Sequence, residues 1–377
     1  MLPLTKPSLF CLIITSLIST TVKSAEFFEY GQSIRALGMG NAYSAVAKDG
    51  DSLFYNPAGL GRSSGINLTL LNMNLGLNGE NAYNTVQKVS QSTGTGVDKF
   101  SEIFGEQLWL GAGGKVTLTL PNFGMGIYDS GSSGIELKDP ILPYFDINYV
   151  NDYGIVVGSA FKIGPHSHFG INAKRINRTG GQQDFGISTF LNGDTQTIQD
   201  NIQKKGVGYG ADIGFSWEIP APFNPVVSGV WKDIGTTTFL KVGGSEKPPR
   251  ILDDQTIGVA AGFDLALFGL TTAIDIKHIN ATSEPFGKKL HMGLELDLPL
   301  LDLRGGFSQG YYSIGASVDL LLMQLDLAYY GVELGEYPGQ DEDRRILLAL
   351  TMDLGFDANL NFLDFNSSKG KRLKRRR

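Results

Sequence analysis

The chain is nearly free of cysteine. Its one cysteine, Cys11, lies in an apolar stretch at the start. If that stretch is removed, the mature protein can hold no disulfide, no thiolate nucleophile and no cysteine-ligated metal. Histidine is scarce as well: His166, His168, His278 and His291 form no metal-ligand spacing, so no metal and no cofactor are expected. No apolar run near 18 residues follows residue 25, which excludes helical membrane spans. Positive charge is unevenly placed along the chain. Seven positive charges crowd into the closing run KGKRLKRRR, against a net charge of -6 for the whole chain. Nucleic-acid proteins spread basic charge over the fold, so that class is not expected.

Glycine, by contrast, is abundant, with 49 residues and no collagen-like period. It disfavours a helical enzyme and suits turns and closely packed strands. Residues 1–24 read as a secretory signal peptide. Lys6 supplies the positive start, residues 9–18 the apolar core, and cleavage after Ser24 fits best. An N-terminal membrane anchor is the alternative. An exported chain without helical spans can enter a membrane only as a closed barrel.

From residue 150 onward the hydrophobic period is two. In 207–219, Val207, Tyr209, Ala211, Ile213, Phe215, Trp217 and Ile219 make one face; glycines, Asp212, Ser216 and Glu218 make the other. The segments 256–267, 290–298, 311–320 and 346–356 repeat this pattern. Their lengths match a tilted membrane strand, which needs roughly 9–11 residues, better than the shorter strands of soluble sheets. The fold class is therefore all-β: a transmembrane antiparallel barrel of about fourteen strands. Charged residues keep the small, polar phase. Lys162, Lys174, Asp212, Glu218, Asp264, Asp275, Lys277, Glu295, Asp297, Arg304, Asp319 and Asp353 are expected to face the lumen. They either keep the lumen wet and the strands in register or line a permeation path. Tyrosines and tryptophans near strand ends suggest interfacial girdles.

Fourteen strands are expected, including 64–76, 115–129, 134–150, 153–163 and 166–177. Turns then fall at 130–133 and 151–152. Long gaps alternate with short ones except at 151–152 and 308–309, as when both termini are periplasmic. Short helices are possible over 192–205 and within 80–107. Pro121, Pro140 and Pro143 mark either strand ends or a gap in the wall.

Residues 25–62 are too glycine-rich for a stable helix and too irregular for a strand, yet they carry apolar side chains. The inside of the barrel is the natural place to bury them. The stretch 34–60, IRALGMGNAYSAVAKDGDSLFYNPAGL, resembles the N-terminal hatch signature of the FadL-like outer-membrane transport proteins, whose relatives include PorV-like and TraF-like barrels. The matching residues are Gly38, Gly40, Ala42, Tyr43, Asp49, Asp51, Tyr55, Asn56, Pro57 and Ala58. Adjacent acidic residues in the family's pattern are split here by Gly50.

The resemblance implies a hatch, 25–62, inside a barrel, 63–356, followed by a basic tail, 357–377. It also implies passage of fatty-acid-like hydrophobic or amphipathic molecules, with sideways exit near a kinked strand, in the outer membrane of a Gram-negative bacterium. The alternative is a non-transporting scaffold or shuttle in secretion, conjugation or envelope assembly. A polar porin and a barrel enzyme fit less well, and no catalytic residues are expected. Expected partners are outer-membrane lipid, a hydrophobic solute, and a periplasmic or surface protein, for which the basic tail is one contact.

Overall fold

The computed structural model describes residues 29–79, 83–84, 87–88, 104–105, 107–139, 141–186, 204–265, 268–320 and 323–356. The stretch expected to be a signal peptide, the basic tail and nearly all of the two stretches expected to hold short helices lie outside the described residues.

The strands are β1 (Ile66–Leu77), β2 (Gln107–Leu120), β3 (Phe123–Lys138), β4 (Tyr144–Gly164), β5 (Ser167–Gly186), β6 (Lys205–Glu218), β7 (Val226–Lys232), β8 (Phe239–Gly243), β9 (Asp254–Asp264), β10 (Gly269–Ile276), β11 (Leu290–Asp297), β12 (Leu301–Ser308), β13 (Tyr311–Leu320), β14 (Met323–Glu333) and β15 (Glu342–Phe356). Neighbours in sequence pair antiparallel, and β1 pairs with β15, closing the ring. Strands β7 and β8 both pair with β6, β7 at one end and β8 at the other, so together they form a single staves' width of wall. The result is a closed barrel of fourteen staves.

Each strand buries one face and exposes the other. Ile213, Phe215 and Trp217 point outward, while Asp212, Gly214 and Ser216 point in. The outward face is a continuous apolar belt, including Leu75, Ile155, Ile171, Val259 and Leu348, all exposed. Such a surface would aggregate in water; it suits hydrocarbon. The aromatic girdle holds in part. Tyr153, Trp217 and Tyr312 are exposed, whereas Phe145, Tyr311 and Tyr330 are buried.

The count of fourteen agrees with the expectation, but two turns lie elsewhere. Pro121 and Asn122 form the turn between β2 and β3, with Asn122 at φ 68°. Residues 139–143 link β3 to β4. The stretches 130–133 and 151–152 lie mid-strand, in unbroken register across β3 and β4. Serine, glycine and asparagine there resemble turn residues but sit in a ladder. Pro121 and Pro143 therefore mark strand ends, not a wall gap; Pro140 lies outside the described residues. Long connections fall on one side of the ring, apart from the short links 139–143 and 309–310, and both the entry to β1 and the end of β15 lie on the other side.

One break in the wall went unforeseen. After Lys232 the chain leaves the ladder at Asp233 (φ 50°), Gly235 (φ 77°) and Thr236 (φ 68°). It rejoins through the Thr237–Ile251 bridge before β8.

Candidate functional site

The polar lumen is not a water-filled bore. Residues 29–65 run inside the ring as two short helices, α1 (Ile34–Gly38) and α2 (Asp49–Tyr55), and a 3-10 turn, Pro57–Arg62. Ala36, Met39, Ala42, Ala47, Ala58 and Leu60 are fully buried there. The segment touches strands all round the ring, from β1 to β15.

The inward glycines of the wall are its docking surface. At Gly40 (φ 62°) a Cβ would fall 2.5 Å from Met292 O and 2.7 Å from Phe307 N. A Cβ at Gly306 would strike the Gly40 nitrogen, one at Gly293 the Met39 oxygen, and Gly315 lies against Gly38. The Gly38-Met39-Gly40 corner thus packs backbone to backbone on β11, β12 and β13. Ser313 Oγ donates to Gly38 O at 3.1 Å. Glycine is needed at residue 40 for both its left-handed φ and its contact.

The Asn56-Pro57-Ala58 corner does the same on the other side. It rests on Gly170 of β5 and Gly214 of β6, where no Cβ would fit. Asn56 Oδ1 accepts from Ala58 N at 3.0 Å, capping the 3-10 turn, and Asn56 Nδ2 donates to Ser44 O at 3.0 Å. Pro57 opens the turn where no amide donor is needed. Replacing Asn56 by alanine is expected to cost about 1–3 kcal/mol, because buried partners lose their bonds. Denaturant titration of the folded barrel in detergent would measure this.

Between these corners, charge joins segment to wall. Asp275 on β10 accepts from Tyr43 N (2.9 Å), Ser44 N (2.8 Å) and Ser44 Oγ (2.8 Å). Arg35 Nε donates to Glu295 Oε2 at 2.7 Å; the same carboxylate takes Arg304 Nε at 2.6 Å. Asp51 pairs with Lys115 at 2.6 Å and accepts from Tyr43 OH at 3.2 Å. Tyr55 OH accepts from Ser33 N at 3.0 Å, and its ring meets Tyr43 edge-on at 5.0 Å. Asp49 (φ 52°) accepts from Asn67 Nδ2 at 2.8 Å. Lys277 pairs with Glu29 at 3.0 Å. Lys174 binds Asp212 at 2.6 Å, Asp233 at 2.9 Å, and Tyr30 OH.

Every residue of the hatch motif therefore lies in this interface. Of the twelve charges expected to face the lumen, Lys174, Asp212, Asp275, Lys277, Glu295 and Arg304 are buried partners within it or beside it. Lys162, Glu218, Asp264, Asp297, Asp319 and Asp353 lie toward the short-turn rim, where burial is incomplete. The sequence reading passed over Arg35, Lys115, Asp152, Arg178 and Asp233. Lys115 and Arg178 obey the same two-residue phase and could have been found by it. Asp233 sits at the wall break, where that phase lapses.

Burial alone would raise the Asp51 carboxyl, but Lys115 outweighs it and holds Asp51 below the usual carboxylate range. Glu29 behaves likewise: burial pushes it up, while Lys277 and Lys232 pull it well down. A carboxyl lowered by folding stabilises fully above its unfolded value, about 4, and that contribution fades as pH falls through the folded value. Acid below about pH 4 is thus expected to loosen the segment. Asp51→Asn should reduce the pH dependence of thermal unfolding in that range.

Two small cavities lie beside Glu29, Gln32 and Arg345, at about 60 and 40 Å3. Asn72, Asn74, Lys115 and Trp109 line the larger; Asn41, His278 and Gln309 line the smaller. They have room only for waters or a very small solute, well short of the roughly 300 Å3 of a typical ligand pocket. No group of three or more potential metal ligands occurs among the described residues.

No sequence family and no curated protein matches the chain. Solved structures do. The toluene transporter TodX of Pseudomonas putida is 12% identical, with 88% of this chain and 100% of that one covered at a TM-score of 0.53. A TodX deltaS2S3 mutant, described as a monoaromatic hydrocarbon channel, matches at 12% identity, covering 86% and 99%, with a TM-score of 0.55. CymD, another monoaromatic hydrocarbon channel, matches at 11% identity, covering 86% and 97%, with a TM-score of 0.52. The chain thus shares its fold with these channels, the kind of barrel that the resemblance to FadL-like transport proteins led us to expect.

Proposed function

We propose that the protein is a hatch-plugged channel of the outer membrane, passing hydrophobic or amphipathic small molecules. The observation that carries this reading is the docked N-terminal segment within a barrel whose fold hydrocarbon channels share. Residues 29–62 serve as the hatch. Opening a path requires that segment or its neighbours to shift, because the cavities beside it are too small for such a solute. The protein acts by binding and passage, without a cofactor and without catalysis.

The test is uptake by cells with an intact outer membrane. Cells carrying the protein should take up a radiolabelled monoaromatic hydrocarbon or medium-chain fatty acid several times faster than cells without it. Equal rates, with the barrel verified in the outer membrane, would overturn the reading.

The polar lining and the dense ion pairs favour a second reading, a sealed barrel that serves as a scaffold for an envelope protein. It predicts equal uptake together with a specific partner recovered by crosslinking in intact cells.

A further inference from the structure

Among the described residues, Arg175 is an outward-facing charge set against the apolar belt, where lipid tails cannot satisfy it. Along β5 the outward residues are Phe169, Ile171, Ala173, Arg175, Asn177 and Thr179. The apolar belt stops at Arg175, whose side chain is exposed. Its register partners on this face are Ile155 of β4 and Tyr209 of β6. Tyr209 is 67% exposed, and Tyr153, diagonally placed on β4, is 52% exposed.

Height in the membrane follows from register. On β6 the strongly exposed stretch runs from Trp217, paired with Ser167, to Tyr209, paired with Arg175, with Val207 half-buried beyond it. That is eight residue steps, or roughly 26 Å along the strand. Tilted by about 40°, the strand rises roughly 20 Å, close to the apolar band of about 25 Å on such barrels. Trp217 and Tyr209 are the aromatic residues near the two ends of the belt, and Arg175 lies level with Tyr209, near the end on the long-loop side. Lipid phosphates lie at that level.

The other outward arginine, Arg344, is already satisfied. It is paired with Glu342, donates to Tyr312 O at 2.9 Å and covers the Tyr312 ring at 4.1 Å. Arg175 makes no ion pair or side-chain hydrogen bond among the described residues. Asp129, the carboxylate on this side, stands two strands away, opposite Tyr153. Lys205, opposite Thr179 and exposed, adds a second cation further along the same stripe.

We propose that Arg175, with Tyr209 and Lys205, forms a site on the outer wall for the phosphate of an anionic lipid headgroup. The guanidinium supplies the charge and paired donors, the tyrosine hydroxyl a further donor, and Lys205 lengthens the positive stripe. The inference needs the outward face to lie in lipid, but it does not depend on transport.

The test is native mass spectrometry of the full chain in nonionic detergent, titrated with phosphatidylglycerol or phosphatidylcholine. Wild type should bind phosphatidylglycerol more tightly than phosphatidylcholine. Arg175→Gln should weaken phosphatidylglycerol binding about fivefold, the factor for about 1 kcal/mol per basic residue at an anionic surface. Arg175→Lys should keep part of the affinity, and Arg344→Gln should leave it unchanged. Heat-modifiable gel mobility verifies that each variant is folded. Equal binding by folded Arg175→Gln, no preference between the two lipids, or an equal loss in Arg344→Gln would overturn the proposal.

Discussion

Replacing Lys174 by methionine is expected to destabilise the barrel by about 3–5 kcal/mol, the range for stripping one partner from a buried ion pair. The Lys174 side chain is 1% exposed, and its ammonium holds two nearly buried carboxylates, Asp212 and Asp233. Asp212 also accepts from Asp233 N at 2.8 Å, and Thr237 Oγ1 donates to Asp233 at 2.7 Å. These bonds pin the chain where the wall departs from its ladder. Tyr30 reaches the same ammonium, so the N-terminal segment is tied to that break. Without the cation, two carboxylates face each other in a dry site. The triple variant Lys174→Met/Asp212→Asn/Asp233→Asn removes that repulsion and should recover much of the loss. Urea unfolding in detergent measures all three proteins. A Lys174→Met barrel within about 1 kcal/mol of wild type would show that the cluster is better hydrated than its burial indicates.

The glycine corner should respond almost as strongly. Gly40→Ala places a Cβ against the β11 and β12 backbone while holding a left-handed φ. Left-handed strain of about 1–2 kcal/mol and overpacking of about 1–3 kcal/mol together give about 2–5 kcal/mol. Gly306→Ala meets the same contact from the wall side and should cost about 1–3 kcal/mol. Its neighbour Gly305 points outward, where a Cβ would meet nothing within 4 Å. Gly305→Ala is therefore expected to be neutral. A contrast between adjacent glycines on one strand separates a docking role from a general strand effect. Equal unfolding midpoints for the Gly305 and Gly306 variants would contradict the docking role.

The barrel was legible in the sequence because period-two alternation follows directly from the pleat, and a charge on the wrong face is costly. Asp212, Glu295 and Arg304 could be assigned to the inner face on that ground alone. What each would touch was not legible. Arg35 and Glu295 lie 260 residues apart, and no local pattern joins them. The inner glycines read as small residues suiting either a crowded or a watery lumen, since alternation reveals which face a residue takes but not what fills the space beyond it. The turns at 121–122 and 139–143 were misplaced because Ser130–Ser133 and Asn151–Asp152 have turn-like composition inside long strands. The resemblance pointed to the motif residues; the contacts of Gly40, Asn56 and Pro57 with the wall could not be read from it.

Docking of the N-terminal segment inside the ring is the claim on which the rest depends. It can be tested by disulfide trapping, because Ser44 Oγ and Ser228 Oγ are 2.9 Å apart across that interface. In a Cys11→Ser background, Ser44→Cys/Ser228→Cys should crosslink spontaneously in isolated outer membranes and shift the gel mobility of the unfolded chain. Two free thiols, both open to a bulky maleimide in the folded protein, would contradict it.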